Sequence, residues 1–189
     1  MLRHSILIAM LAFSVLASRL SAQSERSPLS ADVAVGLSYG QGGGMRDART
    51  GLAASGVIAR ALRPAHVGRP VVALIGSTQG PISGGDVCLL TPGSGGCVPN
   101  YPRIESLGLL GGWTLGQGND GAAARVLLGP AVFHSQDGGS TGGAQGRVDF
   151  ATPALIHIAL LAWGQGSVLP RLRGETYRLG AIGLGVRVR

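Results

Sequence analysis

The chain contains no lysine; all 16 of its basic residues are arginines. A P-loop needs a lysine beside its glycines, so none of the Gly-rich stretches can cradle phosphate that way. Aromatic residues make up only 4% of the chain, too few to interleave with basic residues as a nucleic-acid platform. Acidic residues number nine, which leaves a net charge of +7. The arginines are scattered singly, mostly at the ends of apolar segments, so no nucleic-acid partner is expected. Cysteine occurs twice, at Cys88 and Cys97. Zinc needs about four ligands, and no nearby histidine or further cysteine completes a set, so neither a metal site nor a cofactor is expected. Beyond Gln23 no apolar run approaches the ~18 residues of a transmembrane helix.

The N-terminus carries a different signal. Arg3 and His4 precede an apolar run from Ile6 to Ala17 broken only by Ser14, and small residues follow at Ser18, Ser21 and Ala22. A short basic region, an apolar stretch and a small-residue cluster are the layout of a cleavable export signal. We expect a signal peptide over residues 1–22, cut after Ala22, with cleavage after Ala17 as the rival site. Residues 23–30 then form a linker and residues 31–189 a single domain, an ordinary size for one. Loss of Arg3 and Arg19 lowers the net charge from +7 to +5. In an exported protein a lone cysteine pair reads as a disulfide. The LLTPGSGG segment between Cys88 and Cys97 can turn back on itself, and a loop that short gains ~2–3 kcal/mol from the bridge.

What is abundant is alternation. From Tyr177 onward, Ile182, Leu184, Val186 and Val188 share one parity, and Gly183, Gly185 and Arg187 share the other. A period of two belongs to an extended strand with unlike faces. Similar segments lie at 31–40, 51–62, 71–77, 103–115, 122–134, 147–151 and 157–169, which makes eight with the terminal one. In the first, Val33, Val35, Leu37 and Tyr39 oppose Asp32, Ala34, Gly36 and Ser38. QGGGMRDART, residues 78–102 with the cysteines, SQDGGSTGGAQG and PRLRGE read as loops at one end. GQGND and the turn at Pro153 read as short connections at the other. Tyr39, Tyr101 and Tyr177 fall at strand ends on the loop side, as an aromatic girdle would, while Phe133 has the inward parity.

These features predict an all-β fold, a single antiparallel up-and-down β-barrel of about eight strands after the signal peptide. Long loops at one end, short turns at the other and an even strand number are habits of outer-membrane barrels. Closure pairs the first strand with the last, which brings Asp32 and Arg187 onto neighbouring strands with both side chains inward. We expect them to form a charge pair in the lumen.

On the signal peptide, the strand count, the loop asymmetry and the terminal strand YRLGAIGLGVRVR, the chain resembles the small eight-stranded outer-membrane β-barrel proteins. It ends on Arg189 where such proteins usually end on an aromatic residue. The resemblance implies a cell outer-membrane location, contact with lipid or lipopolysaccharide, and a structural or surface-interaction role with a narrow or filled lumen. It names no partner proteins. The alternative is a soluble periplasmic or secreted lipocalin-like barrel binding a small apolar ligand, a reading prompted by Leu160, Leu161 and Trp163 on both parities of one strand.

No catalytic residue is expected. Residues 36–40, GLSYG, match the G-x-S-x-G nucleophile pattern, but that motif needs a strand–turn–helix setting and QGGGMRD follows instead. Ser38 reads as an inward-facing strand serine. GQGND resembles one calcium-binding nonapeptide turn, which works only in stacked repeats. His66, His134 and His157 stand apart from one another and from paired carboxylates.

Overall fold

A computed structural model of the protein describes residues 29–42, 49–62, 68–81, 87–89, 96–98, 103–116, 121–135, 139–172 and 175–188. The expected signal peptide with both cleavage sites, His66 and Tyr101 lie outside these residues. The described strands are β1 (Leu29–Gly42), β2 (Arg49–Ala61), β3 (Arg69–Pro81), β4 (Val87–Leu89), β5 (Gly96–Val98), β6 (Ile104–Gly116), β7 (Ala123–Ser135), β8 (Gly139–Ala151), β9 (Ile158–Leu172) and β10 (Glu175–Val188). Eight of them close into an antiparallel barrel in the order β1-β10-β9-β8-β7-β6-β3-β2, and β4 and β5 form a separate two-stranded sheet. No described helix is long and apolar enough to cross a membrane, a fact that does not bear on strands.

The alternating pattern explains the closure. Val33, Val35, Leu37 and Tyr39 face outward on β1, and Asp32, Ala34 and Ser38 are buried between them. An eight-stranded barrel has an interior only wide enough for side chains to fill, so small inward residues relieve crowding where larger ones must enter. The barrel strands are 13 to 15 residues long. At ~3.3 Å per residue and a tilt of about 40°, 13 residues rise roughly 33 Å. The seam joins β1 to β10 from Ala31 opposite Val188 to Gly42 opposite Tyr177, with Asp32 opposite Arg187.

Several elements differ from the sequence reading. SQDGGSTGGAQG is mostly strand, since β8 begins at Gly139 and pairs with β7 along its length. Its outward positions there are Ser140, Gly142, Ala144 and Gly146, so no apolar alternation marks it. The β7–β8 connection thus shrinks to 136–138 and the β9–β10 connection to 173–174, leaving 82–103 as the one long connection at that end. Within it β4 and β5 make a hairpin. Tyr177 does not join an outer girdle. It is buried in the lumen with Ile104, Ala131, Phe133, Leu169 and Leu179, an apolar cluster that fills the end of the barrel carrying the 82–103 connection. At the opposite end, the tight turn between β8 and β9 holds Ile156 at a φ of 65°, an uncommon conformation for a branched residue.

Candidate functional site

Inside the barrel, five charged side chains from four strands meet. Asp32 comes from β1, Arg125 from β7, Arg147 and Asp149 from β8, and Arg187 from β10, all nearly inaccessible to solvent. Strand alternation puts each of them inward, and the closed wall turns them toward one another. Arg187 Nε donates to Asp32 Oδ1 at 2.8 Å and its Nη2 to Asp32 Oδ2 at 3.0 Å. This two-pronged geometry is the strongest a guanidinium can offer a carboxylate. Arg187 Nη2 also reaches Asp149 Oδ2 at 3.2 Å. Arg125 donates through Nε to Asp149 Oδ2 at 2.7 Å, and its Nη2 contacts both Asp149 and Asp32. Arg147 Nε donates to Asp149 Oδ1 at 2.7 Å and its Nη1 to Ser55 Oγ on β2 at 2.6 Å.

The network continues through an aromatic ring. The Arg147 guanidinium stands 4.7 Å from the centre of the Trp163 ring on β9, in cation–π range. The Trp163 indole N–H reaches back to the Val35 carbonyl on β1 at 3.4 Å. Glycine makes that reach possible. Trp163 is opposite Gly183, which is opposite Gly36, so two strands lack side chains beneath the indole. A Cβ on Gly183 would lie 2.0 Å from the Val35 carbonyl oxygen. Further along the lumen, Gln165 Nε2 donates to Ser77 Oγ at 3.1 Å, and Ser77 and Ser106 share a hydrogen bond of 2.7 Å. Polar contacts inside the lumen thereby touch all eight barrel strands.

Buried ions are costly in isolation, and their attraction repays that cost only when geometry and further hydrogen bonds are good. Here each carboxylate meets more than one guanidinium, so both carboxylates are compensated inside the barrel. The arrangement cross-ties the wall from one side of the lumen to the other. Ser38 is buried and donates to the Leu52 carbonyl at 3.1 Å. His134 lies on the exposed face, its Nδ1 3.1 Å from Ser140 Oγ, and His157 sits in the exposed β8–β9 turn. Among the described residues no group of three or more His, Cys, Asp or Glu side chains could hold a metal ion.

Sequence reasoning reached Asp32 and Arg187 through the seam. It missed Arg125, Arg147 and Asp149 as their partners. The signal was present in part, because RVDFA puts Arg147 and Asp149 on one face and Arg125 has the inward parity of its strand. What alternation cannot convey is which residues meet across a lumen. Cys88 and Cys97 are opposite each other in the β4–β5 register, although their side chains lie outside the described residues.

The fold is therefore a small eight-stranded antiparallel barrel with charged side chains crossing its lumen. Among solved structures it is similar to Neisserial surface protein A, NspA, with a TM-score of 0.58 at 11% identity, over 86% of this chain and 97% of that one. It is also similar to Ail, the attachment invasion locus protein of Yersinia pestis, with a TM-score of 0.49 at 11% identity, over 86% and 99% of the two chains. No family model and no curated protein matches the chain. At such identity the likeness to NspA is one of fold.

Proposed function

We propose that this chain is an outer-membrane β-barrel protein with a structural or surface-interaction role and no catalytic activity. The observation that carries the reading is the outer wall. Leu37, Leu52, Leu74, Leu107, Leu128, Phe150, Leu160 and Leu184, one from each barrel strand, are each more than 45% exposed. A soluble protein rarely shows a continuous apolar belt, whereas a membrane barrel needs one about 25 Å tall around its whole circumference. Strands rising roughly 33 Å are long enough for it. Tyr39 near one end, with Trp113 and Phe150 near the other, supplies a thin aromatic rim at each boundary. The natural ligand of the belt is lipid. Exposed Arg178, at the end bearing the long connection, is suited to lipopolysaccharide phosphate.

A lipocalin-like carrier would be built the other way round, with leucines inward and charges outward. A lumen crossed by Asp32, Arg125, Arg147, Asp149 and Arg187 is not one an apolar ligand would fill. Export through a signal peptide cleaved after Ala22 belongs to the same proposal, so the mature protein should begin at Gln23. Cell fractionation tests the proposal. The protein should stay with membranes through a carbonate wash, require detergent for release, and migrate faster on gels before boiling than after. Recovery as a soluble periplasmic protein without detergent would defeat it.

A further inference from the structure

β8 and β9 bring four inward polar side chains into one patch. Gln145 is opposite Ser167, and two residues along, Arg147 is opposite Gln165. All four are buried, at 0%, 4%, 1% and 6% exposure respectively. Each keeps a polar atom without a hydrogen-bond partner, namely both amide atoms of Gln145, Ser167 Oγ, Arg147 Nη2 and Gln165 Oε1. Among the described residues only one other buried side-chain atom shares this condition, Gln79 Oε1. Gln79 lies two residues along β3 from Ser77, the hydroxyl that Gln165 already engages. Unmet polar atoms are rare in a folded interior, and each one asks for an explanation. Their concentration on one patch is what a ligand site looks like.

Charge indicates what the ligand is. The lumen network holds three guanidiniums, Arg125, Arg147 and Arg187, against two carboxylates, Asp32 and Asp149. One positive charge is left over in a place where an unbalanced ion is costly. It falls to Arg147, whose Nε and Nη1 are engaged and whose Nη2 is not. We propose that the lumen binds a small monovalent anion, of halide type, held by Arg147 Nη2, the Gln145 amide N–H and the Ser167 hydroxyl. Gln145 is fully buried, and close surroundings favour a single-atom ion over a larger oxyanion. A Cβ placed on Gly108 would already lie 2.8 Å from Gln145 Oε1, so the neighbouring wall is close. The oxygens of Gln165 and Gln79 are acceptors and suit water accompanying the ion. The site depends on the fold alone and stands whether or not the barrel is inserted in a membrane.

Bromide is the probe. The mature protein, refolded and crystallised in bromide, should show an anomalous scattering peak within hydrogen-bonding reach of Arg147 Nη2 and Gln145. Thermal unfolding in detergent should shift upward with halide concentration when ionic strength is held constant with gluconate, as binding to the folded state alone requires. Gln145→Leu removes a donor while leaving the charge network, and should weaken the apparent halide affinity at least tenfold. Should that variant not fold, Ser167→Ala carries the same comparison. Bromide found only on the outer surface, water alone in the patch, or the same halide dependence in wild type and variant would overturn the proposal.

Discussion

Asp32 and Arg187 lie directly opposite each other across the seam where the chain closes, with the guanidinium giving one hydrogen bond to each carboxylate oxygen. Asp32 also meets Arg125, which stands on β7, three strands away from β10 around the wall. One carboxylate therefore ties the first strand both to the last and to the far side of the barrel.

Asp32→Asn should leave two buried guanidiniums undercompensated and cost about 3–5 kcal/mol. Arg187→Met should cost a similar amount. The pair of substitutions together should cost clearly less than the sum, because removing both members leaves less charge unpaired. Charge exchange, Asp32→Arg with Arg187→Asp, should recover only part of the loss, since the new guanidinium would confront Arg125. Denaturant unfolding of the protein refolded into lipid vesicles measures all four. Strict additivity of the two single variants would mean that the pair contributes nothing to closure.

Position on the outer wall should set the cost of charge there. Leu184 is 70% exposed on the outward face of β10, opposite Val35 and Ala162 and well inside the belt. Leu184→Arg should cost about 2–4 kcal/mol in a membrane, and the same change at a boundary position about 0–1. Thr176, exposed near the start of β10, is the boundary comparison. Similar losses at both positions, or tolerance of both, would be inconsistent with a lipid-facing belt. Gly185 is a poor lumen control, because a Cβ there would lie 2.4 Å from the Val33 carbonyl oxygen.

How much could be read in advance follows from side-chain size. Strands β1, β7 and β10 were legible because Val, Leu and Ile alternate with Ala, Gly or charged residues, so both the strand and its inward face show in the letters. The first half of β8 was not. GSTGGAQG carries small residues on both parities, and what holds it straight is pairing with β7 along its length, joined by β9 from Ala144 onward. Its bareness is covered by a neighbour, with Leu128 reaching within 3.5 Å of where a Cβ on Gly146 would sit. Tyr177 was misplaced because a place near a strand end was read as a girdle position, although Tyr177 shares the inward parity of Gly183 and Arg187 and the register runs unbroken from Tyr177 to Val188. Asp32 and Arg187 were legible through closure alone. Their other partners depend on distances across the lumen, which strand alternation does not encode.

Gly183→Ala should be costly although the change is only a methyl group. The new Cβ would lie 2.0 Å from the Val35 carbonyl, the group that accepts from the Trp163 indole. Overpacking of this kind typically costs about 1–3 kcal/mol. Unfolding measurements should show that loss, with a red shift of Trp163 emission as the indole is displaced. An unchanged stability would mean that β1 and β10 can separate freely at this point.

Cys88 and Cys97 should form a disulfide. Directly opposed residues on paired strands fall within the Cα separation a disulfide needs. Both thiols should resist alkylation until the protein is reduced. Reduction should leave the barrel folded, because no barrel strand includes either cysteine. Ready alkylation of both thiols in the unreduced protein would rule the bridge out.

The two tryptophans provide a test of insertion from opposite sides of one wall. Trp113 is 60% exposed on the outward face of β6, and Trp163 is 4% exposed inside the lumen. In vesicles whose acyl chains carry bromine near the headgroup, an outward indole should touch lipid and an inward one should not. Trp163→Phe, which keeps Trp113, should therefore lose most of its emission on insertion. Trp113→Phe, which keeps Trp163, should hold its emission, because the β9 backbone and the glycines of β10 and β1 stand between ring and lipid. The second variant should also resist aqueous acrylamide, a neutral quencher, since its indole packs with Ala34, Ala53, Ala159 and Leu161. Trp163→Phe removes a contact with Arg147, so heat-modifiable migration must first confirm that this variant folds. Equal quenching of the two tryptophans by brominated lipid would mean that the wall does not separate lumen from membrane. Quenching of neither would mean that the folded barrel stays out of the bilayer.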